Sequence, residues 1–93
     1  MARDIPFYTV NQAPEGYVIV RMDDAISTWA SSGQNDMNER YRFCEEHCHG
    51  ELARCAKILK ANAILGFTQS VQLDGQRVFM HVTGTPVVLQ RKT

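Results

Sequence analysis

No apolar run in this chain approaches the ~20 residues needed to cross a bilayer. The opening Met1-Ala2-Arg3-Asp4-Ile5-Pro6 also lacks the apolar centre of a secretion signal. Both absences predict a cytoplasmic protein without a membrane partner. Net charge is missing too: ten Lys+Arg balance ten Asp+Glu. The broad positive field that draws nucleic-acid polymers is therefore absent, and no basic cluster alternates with aromatics as a base-stacking surface would. Cysteine is scarce and odd in number, with three in the chain, which predicts reduced thiols rather than a disulfide framework. There is no phosphate-binding Gly loop, no Ser nucleophile elbow and no His-Glu zinc-protease motif. The paired acids, Asp23-Asp24 and Glu45-Glu46, are of the kind that stand solvated on a surface. An enzyme is not expected, and no cofactor is required by any motif.

What remains is an ordinary globular balance. In 93 residues, 44% are apolar and 22% charged, enough for one core and one domain spanning residues 1–93. Phe7 to Val10 reads as a short extended segment, closed by Pro14 and Gly16. Tyr17 to Met22 reads as a strand from its β-branched and aromatic content. The polar stretch from Asp23 to Asp36 is expected to be a loop with a short helical turn. Asp36 then caps a helix, with Glu39 three residues on. From Met37 to about Ala61, Met37, Tyr41, Cys44, Cys48, Leu52, Cys55, Ile58 and Leu59 fall on one stripe at helical spacing. Gly50 weakens this helix by roughly 1 kcal/mol without breaking it. Two β-prone runs follow, Ile64–Leu73 and Arg77–Leu89, joined at Asp74-Gly75 as a hairpin. Pro86 cannot donate to a ladder, so the last strand is expected at an edge there, or bulged near Gly84.

The expected fold class is therefore α+β: an antiparallel sheet of three to four strands with one long amphipathic helix packed on one face. A single helix shelters only one face, while both faces of this sheet carry apolar positions. Leu65, Phe67, Val71 and Leu73 fall on one side, and Ile64, Val78, Met80, Val82 and Val88 elsewhere. Self-association is the expected remedy.

Two sets of residues carry chemistry. Cys44 and Cys48, four apart and so about 6 Å along a helix, share a face and could hold a soft metal ion with His47 or Glu51 at the flank. Cys55, about 10 Å farther on, cannot join the same ion. The competing reading, buried inert thiols, follows from the apolar stripe they share, since free cysteine is among the most buried residue types. Cys48 as a nucleophile is disfavoured, because it lies inside the helix and away from its N-terminus. His47 and His49 are expected as solvated helix-surface residues. The second set is the Asp23–Gly33 segment. It offers Trp29 as a stacking surface, Asp24 and Ser27 as hydrogen-bonding groups and Arg21 as an anion partner, with His81 and Thr83 on a nearby strand. The alternative is that Trp29 plugs the core or an interface. Three functions follow: a small-ligand binder, with nucleotide-like ligands included; a soft-metal binder; and an assembly unit without a ligand.

Three segments resemble a known family. Leu59-Lys60-Ala61-Asn62-Ala63-Ile64-Leu65-Gly66-Phe67 is similar to the "LGANAIVGV" segment of the YbjQ-like family. Met80 to Val87 resembles its terminal strand ending in "SGTAV", and Pro14-Glu15-Gly16-Tyr17-Val18-Ile19 its opening "EGY.I". The resemblance implies a compact α+β homo-oligomer, commonly a pentamer, from bacteria, archaea or phages. The family's usual label is heavy-metal binding, and no catalysis is implied. Between strand and helix the family usually carries a longer Gly-rich segment, where this chain has Met22 to Trp29.

Overall fold

The structure is a computed structural model describing residues 5–33 and 36–92. Its elements in chain order are β1 (Tyr17–Met22), β2 (Ile26–Ser32), α1 (Met37–Ile58), β3 (Ala63–Asp74) and β4 (Arg77–Arg91). The strands form one antiparallel four-stranded sheet with the helix on one face, the α+β architecture expected. Among the described residues no helix is long and apolar enough to cross a membrane.

β4 is the spine. β3 runs along one side of it, from Ala63 opposite Val87 to Asp74 opposite Arg77. On the other side β2 pairs with Val78–Gly84 and β1 with Val87–Arg91, end to end. The expectation that Pro86 marks an edge is corrected: it is buried in the central strand, opposite Ile64. The tolerance has a local cause. The Pro86 carbonyl accepts the Asp23 N–H, so Pro86 turns its backbone toward the β1–β2 side, where one partner strand gives way to the other. The missing N–H therefore costs no ladder bond.

β2 also departs from expectation, as the stretch read as a loop is a seven-residue strand. Its inward residues, Ile26, Thr28 and Ala30, pair with Gly84, Val82 and Met80. They are mostly small or polar because the helix packs closely against β2 and β4, and apolar alternation is correspondingly faint. The hairpin is present, but its loop is Gly75-Gln76, one residue later than expected, with Asp74 opposite Arg77. Gly75 takes φ 63°, which a first loop position of this kind requires.

A bulge lies between Leu65 and Thr68 in β3, where Gly66 has φ 64°. The extra residue reverses the side-chain alternation. Leu65 thus faces away from the helix while Val71 and Leu73 face its side, contrary to the single row expected. Outside β3, residues 6–10 lie parallel to its first half. Tyr8 N–H donates to the Ile64 carbonyl at 2.9 Å and Ile64 N–H to the Pro6 carbonyl at 3.1 Å.

The helix begins at Asp36, whose carboxylate accepts the Glu39 N–H at 2.9 Å, and runs unbroken through Gly50. It ends at Ile58 rather than near Ala61. Ala61 N–H reaches the Ala56 carbonyl and Lys60 N–H the Lys57 carbonyl, with Lys60 left-handed at φ 65°. This pair of bonds is a Schellman stop. Cys44, Cys48, Leu52 and Ala56, four residues apart, are fully buried against Val78, Met80 and Val82. Met37, Tyr41, Ile58 and Leu59, expected on the buried stripe, are exposed. A second cluster of Ala63, Leu65 and Val87, with Tyr8, Ile19 and Leu89, covers part of the opposite face.

Candidate functional site

Register on β4 decides which side chains meet. Even-numbered β4 residues from Val78 to Gly84 face the helix and are buried, while Phe79, His81 and Thr83 face away. In β2 the matching residues are Ser31, Trp29 and Ser27, opposite Phe79, His81 and Thr83 respectively. In β3 they are Gln72, Ser70 and Thr68. The helix-free face therefore carries three cross-strand rows, the middle one Ser70–His81–Trp29. An open groove of about 460 Å³ lies along it, lined by Trp29, Ser70, Gln72, Phe79 and His81 with the backbone edges of Val71 and Met80. Trp29 is 67% exposed, neither core plug nor buried contact within the chain. Some polar groups are already engaged: Thr68 and Thr83 hydroxyls lie 2.6 Å apart, and Ser70 Oγ donates to the His81 carbonyl at 3.5 Å.

Four of the six expected ligand residues, Ser27, Trp29, His81 and Thr83, thus share one face. Arg21 does not join them. It pairs with Val88, an even-numbered β4 position, and its guanidinium binds Asp23 at 2.9 Å and the Leu59 carbonyl at the end of the helix. Asp24 is exposed in the β1–β2 connection. The cation on the Trp29 face is instead Arg77, whose Nη1 donates to Ser31 Oγ at 3.3 Å. Ser70, Gln72, Phe79 and Arg77 were not among the expected residues. The hairpin was the available signal, because a two-residue loop pairs Ser70 with His81 and Gln72 with Phe79 by counting back from the turn.

The thiols occupy the other face. Cys44 and Cys48 are fully buried, with Sγ atoms 3.8 Å from the carbonyls of Val78 and Met80. Desolvation raises both pKa values, against a lowering by the Arg77 charge at Cys44 and by the Thr28 hydroxyl at Cys48. His47 is exposed and stacked on Phe43 with ring centroids 6.1 Å apart, so it does not turn inward with the two sulfurs. Among the described residues no group of three His, Cys, Asp or Glu side chains is arranged to hold a metal ion. His49, expected in solvent, is half-buried: its ring meets Phe67 edge-on at 5.1 Å and Phe7 at 5.6 Å. Gln69 donates to Tyr41 Oη at 3.1 Å and shares a 2.7 Å hydrogen bond with His49 Nε2. With the Gln69 amide nitrogen so used, its oxygen accepts, and His49 carries its proton on Nε2.

A family model described as "C2 domain-containing protein 5, YbjQ-like domain" matches residues 1–92. The chain belongs to this YbjQ-like family. This is the family that the three segments named above point to. A crystal structure from Pediococcus pentosaceus ATCC 25745, of a protein of unknown function in the DUF74 family, superposes on the YbjQ-like chain with a TM-score of 0.60. It is 16% identical, covering 92% of this chain and 98% of that one, and so supports the fold alone. A comparison with curated proteins found no match.

Proposed function

We propose that this YbjQ-like chain is a non-catalytic, homo-oligomeric binding protein that holds a small ligand on its helix-free face, at the boundary between copies. The observation carrying this reading is the position of Trp29. The exposed indole stands on β2, whose outer edge has no backbone partner among the described residues.

Unpaired edges are normally protected by charge, proline or brevity. β2, Ile-Ser-Thr-Trp-Ala-Ser-Ser, has no charged residue. The second half of β3, Thr68–Asp74, has only its terminal Asp74, and Leu73 beside that edge is 60% exposed. Both strands are antiparallel to β4 and therefore parallel to each other. Pairing β2 with a second β2 would leave β3 bare, whereas β2 of one copy joined to β3 of the next uses both edges and ends only when a ring closes. A ring suits the pentamer that the family resemblance implies.

A soft-metal function is less well supported, since the two thiols point at carbonyl groups in the buried core and their raised pKa values oppose thiolate formation. The same shift argues against Cys48 as a nucleophile.

Sedimentation velocity with a Ser27→Pro variant tests the reading. Because even-numbered β4 residues direct their backbone groups toward β2, Ser27, Trp29 and Ser31 direct theirs outward, so proline at 27 removes an edge donor without removing a ladder bond. Wild-type protein is expected as a closed oligomer and Ser27→Pro as smaller species. A wild-type chain that sediments as a folded monomer across micromolar concentrations overturns the proposal.

A further inference from the structure

Resting on that ligand face, we infer that its ligand class is a flat aromatic ring bearing an anionic group, with the ring on Trp29 and the acid at Arg77. Trp29 and Ser31 are two residues apart on one strand and point the same way, which sets them about 7 Å apart. The Arg77 guanidinium is anchored at Ser31, and its carbon lies 3.4 Å from where a Cβ on Gly33 would stand. The charge is thus laid across the end of β2, at the next position beyond the indole on the same face of that strand. Half-buried Phe79, opposite Ser31, lines the groove together with Trp29.

Charge decides the class. Among the described residues the ion pairs are Arg21–Asp23 and Arg54–Glu51, so Arg77 is engaged by a hydroxyl rather than a carboxylate, although Asp74 is its register partner. No acidic side chain lines the groove. An aromatic cation, which an exposed indole would otherwise attract, meets no counter-charge there and shares the sheet face with Arg77. A neutral ring gains the stack alone. A guanidinium, always charged and able to bind an oxyanion through two parallel hydrogen bonds, favours carboxylate or phosphate. Gln72 and the His81 ring add hydrogen-bonding groups on the groove floor without altering the sign.

The test uses one ring in three charge states, 1-naphthoate, 1-naphthamide and 1-naphthylmethylammonium, titrated into the full chain and followed by 1H–15N NMR. The chain has one tryptophan, so the indole N–H signal reports Trp29 alone. Naphthoate is expected to shift this signal saturably and to bind about tenfold more tightly than naphthamide, with no saturation by the ammonium. Trp29→Ala weakens naphthoate about tenfold or more. Arg77→Gln removes the preference for naphthoate over naphthamide, and Arg77→Lys restores part of it. Equal binding of all three probes, or a preference surviving in Arg77→Gln, overturns the inference, as does the absence of saturable binding by naphthoate. Sedimentation of the same samples keeps the two readings apart. An oligomer that binds none of the probes sinks the ligand class alone, while a monomer that binds naphthoate through Trp29 and Arg77 supports it and sinks the shared boundary.

Discussion

Gly84 of β4 lies under Ile64 of β3 so closely that an added Cβ would fall well inside van der Waals contact distance of the Ile64 Cγ2 methyl. Ile64 is fully buried and β-branched, so it has little freedom to turn aside. On its other side the added atom would reach Leu52 Cδ2 at 3.6 Å, an ordinary contact. Gly84→Ala is therefore an overpacking change at the junction of helix, β3 and β4. It is expected to destabilise the chain by about 1–3 kcal/mol, measured as a lower urea midpoint at unchanged slope and fixed protein concentration. Wild-type stability in this variant would mean that the Ile64 contact is loose.

Lys60 makes the opposite case. It holds the left-handed position of the Schellman stop at φ 65°, which costs a residue with a Cβ roughly 1–2 kcal/mol. Glycine avoids that cost, although its greater freedom in the unfolded chain returns part of the gain. Lys60→Gly is expected to stabilise by about 0.5–1 kcal/mol. An unchanged or lower thermal midpoint would show that the lysine side chain contributes something that its backbone position does not explain.

The long helix, its Asp36 cap and the terminal hairpin were legible because each has a local cause: a period, a cap and a turn. β2 was not. Its inward residues are small or polar where the helix comes close, and its most apolar residue, Trp29, points outward, so strand alternation reads as a polar loop. The candidate site was legible in type but not in membership. Trp29, Ser27, His81 and Thr83 were legible, yet Arg21, the cation nearest to them in sequence, lies off their face. Which face an arginine occupies depends on the register with β4 and on irregularities such as those at Gly66 in β3 and between Ile19 and Arg21 in β1. Neither follows from spacing along the chain, and Arg77, distant in sequence, is the residue on the Trp29 face.

The buried thiols make a prediction with a definite sign. Desolvation raises the Cys44 and Cys48 thiols above their ordinary value of 9.0, whereas in the unfolded chain they ionise near it. Below that pH both states hold the protons and the thiols add no pH dependence. Above it the unfolded chain releases protons that the folded chain retains, so stability falls as pH rises through 9 toward the folded values. Unfolding in urea at pH 8 and pH 10 is expected to show this loss, and Cys48→Val, less stable at both, should lose less between them. Alkylation gives the companion measurement: at pH 8 the partly exposed Cys55 should react with iodoacetamide well before the other two, which should react on global unfolding. An equal loss in Cys48→Val and wild type, together with rapid labelling of Cys48 in the native state, would place that sulfur in contact with water and reopen a chemical role for it.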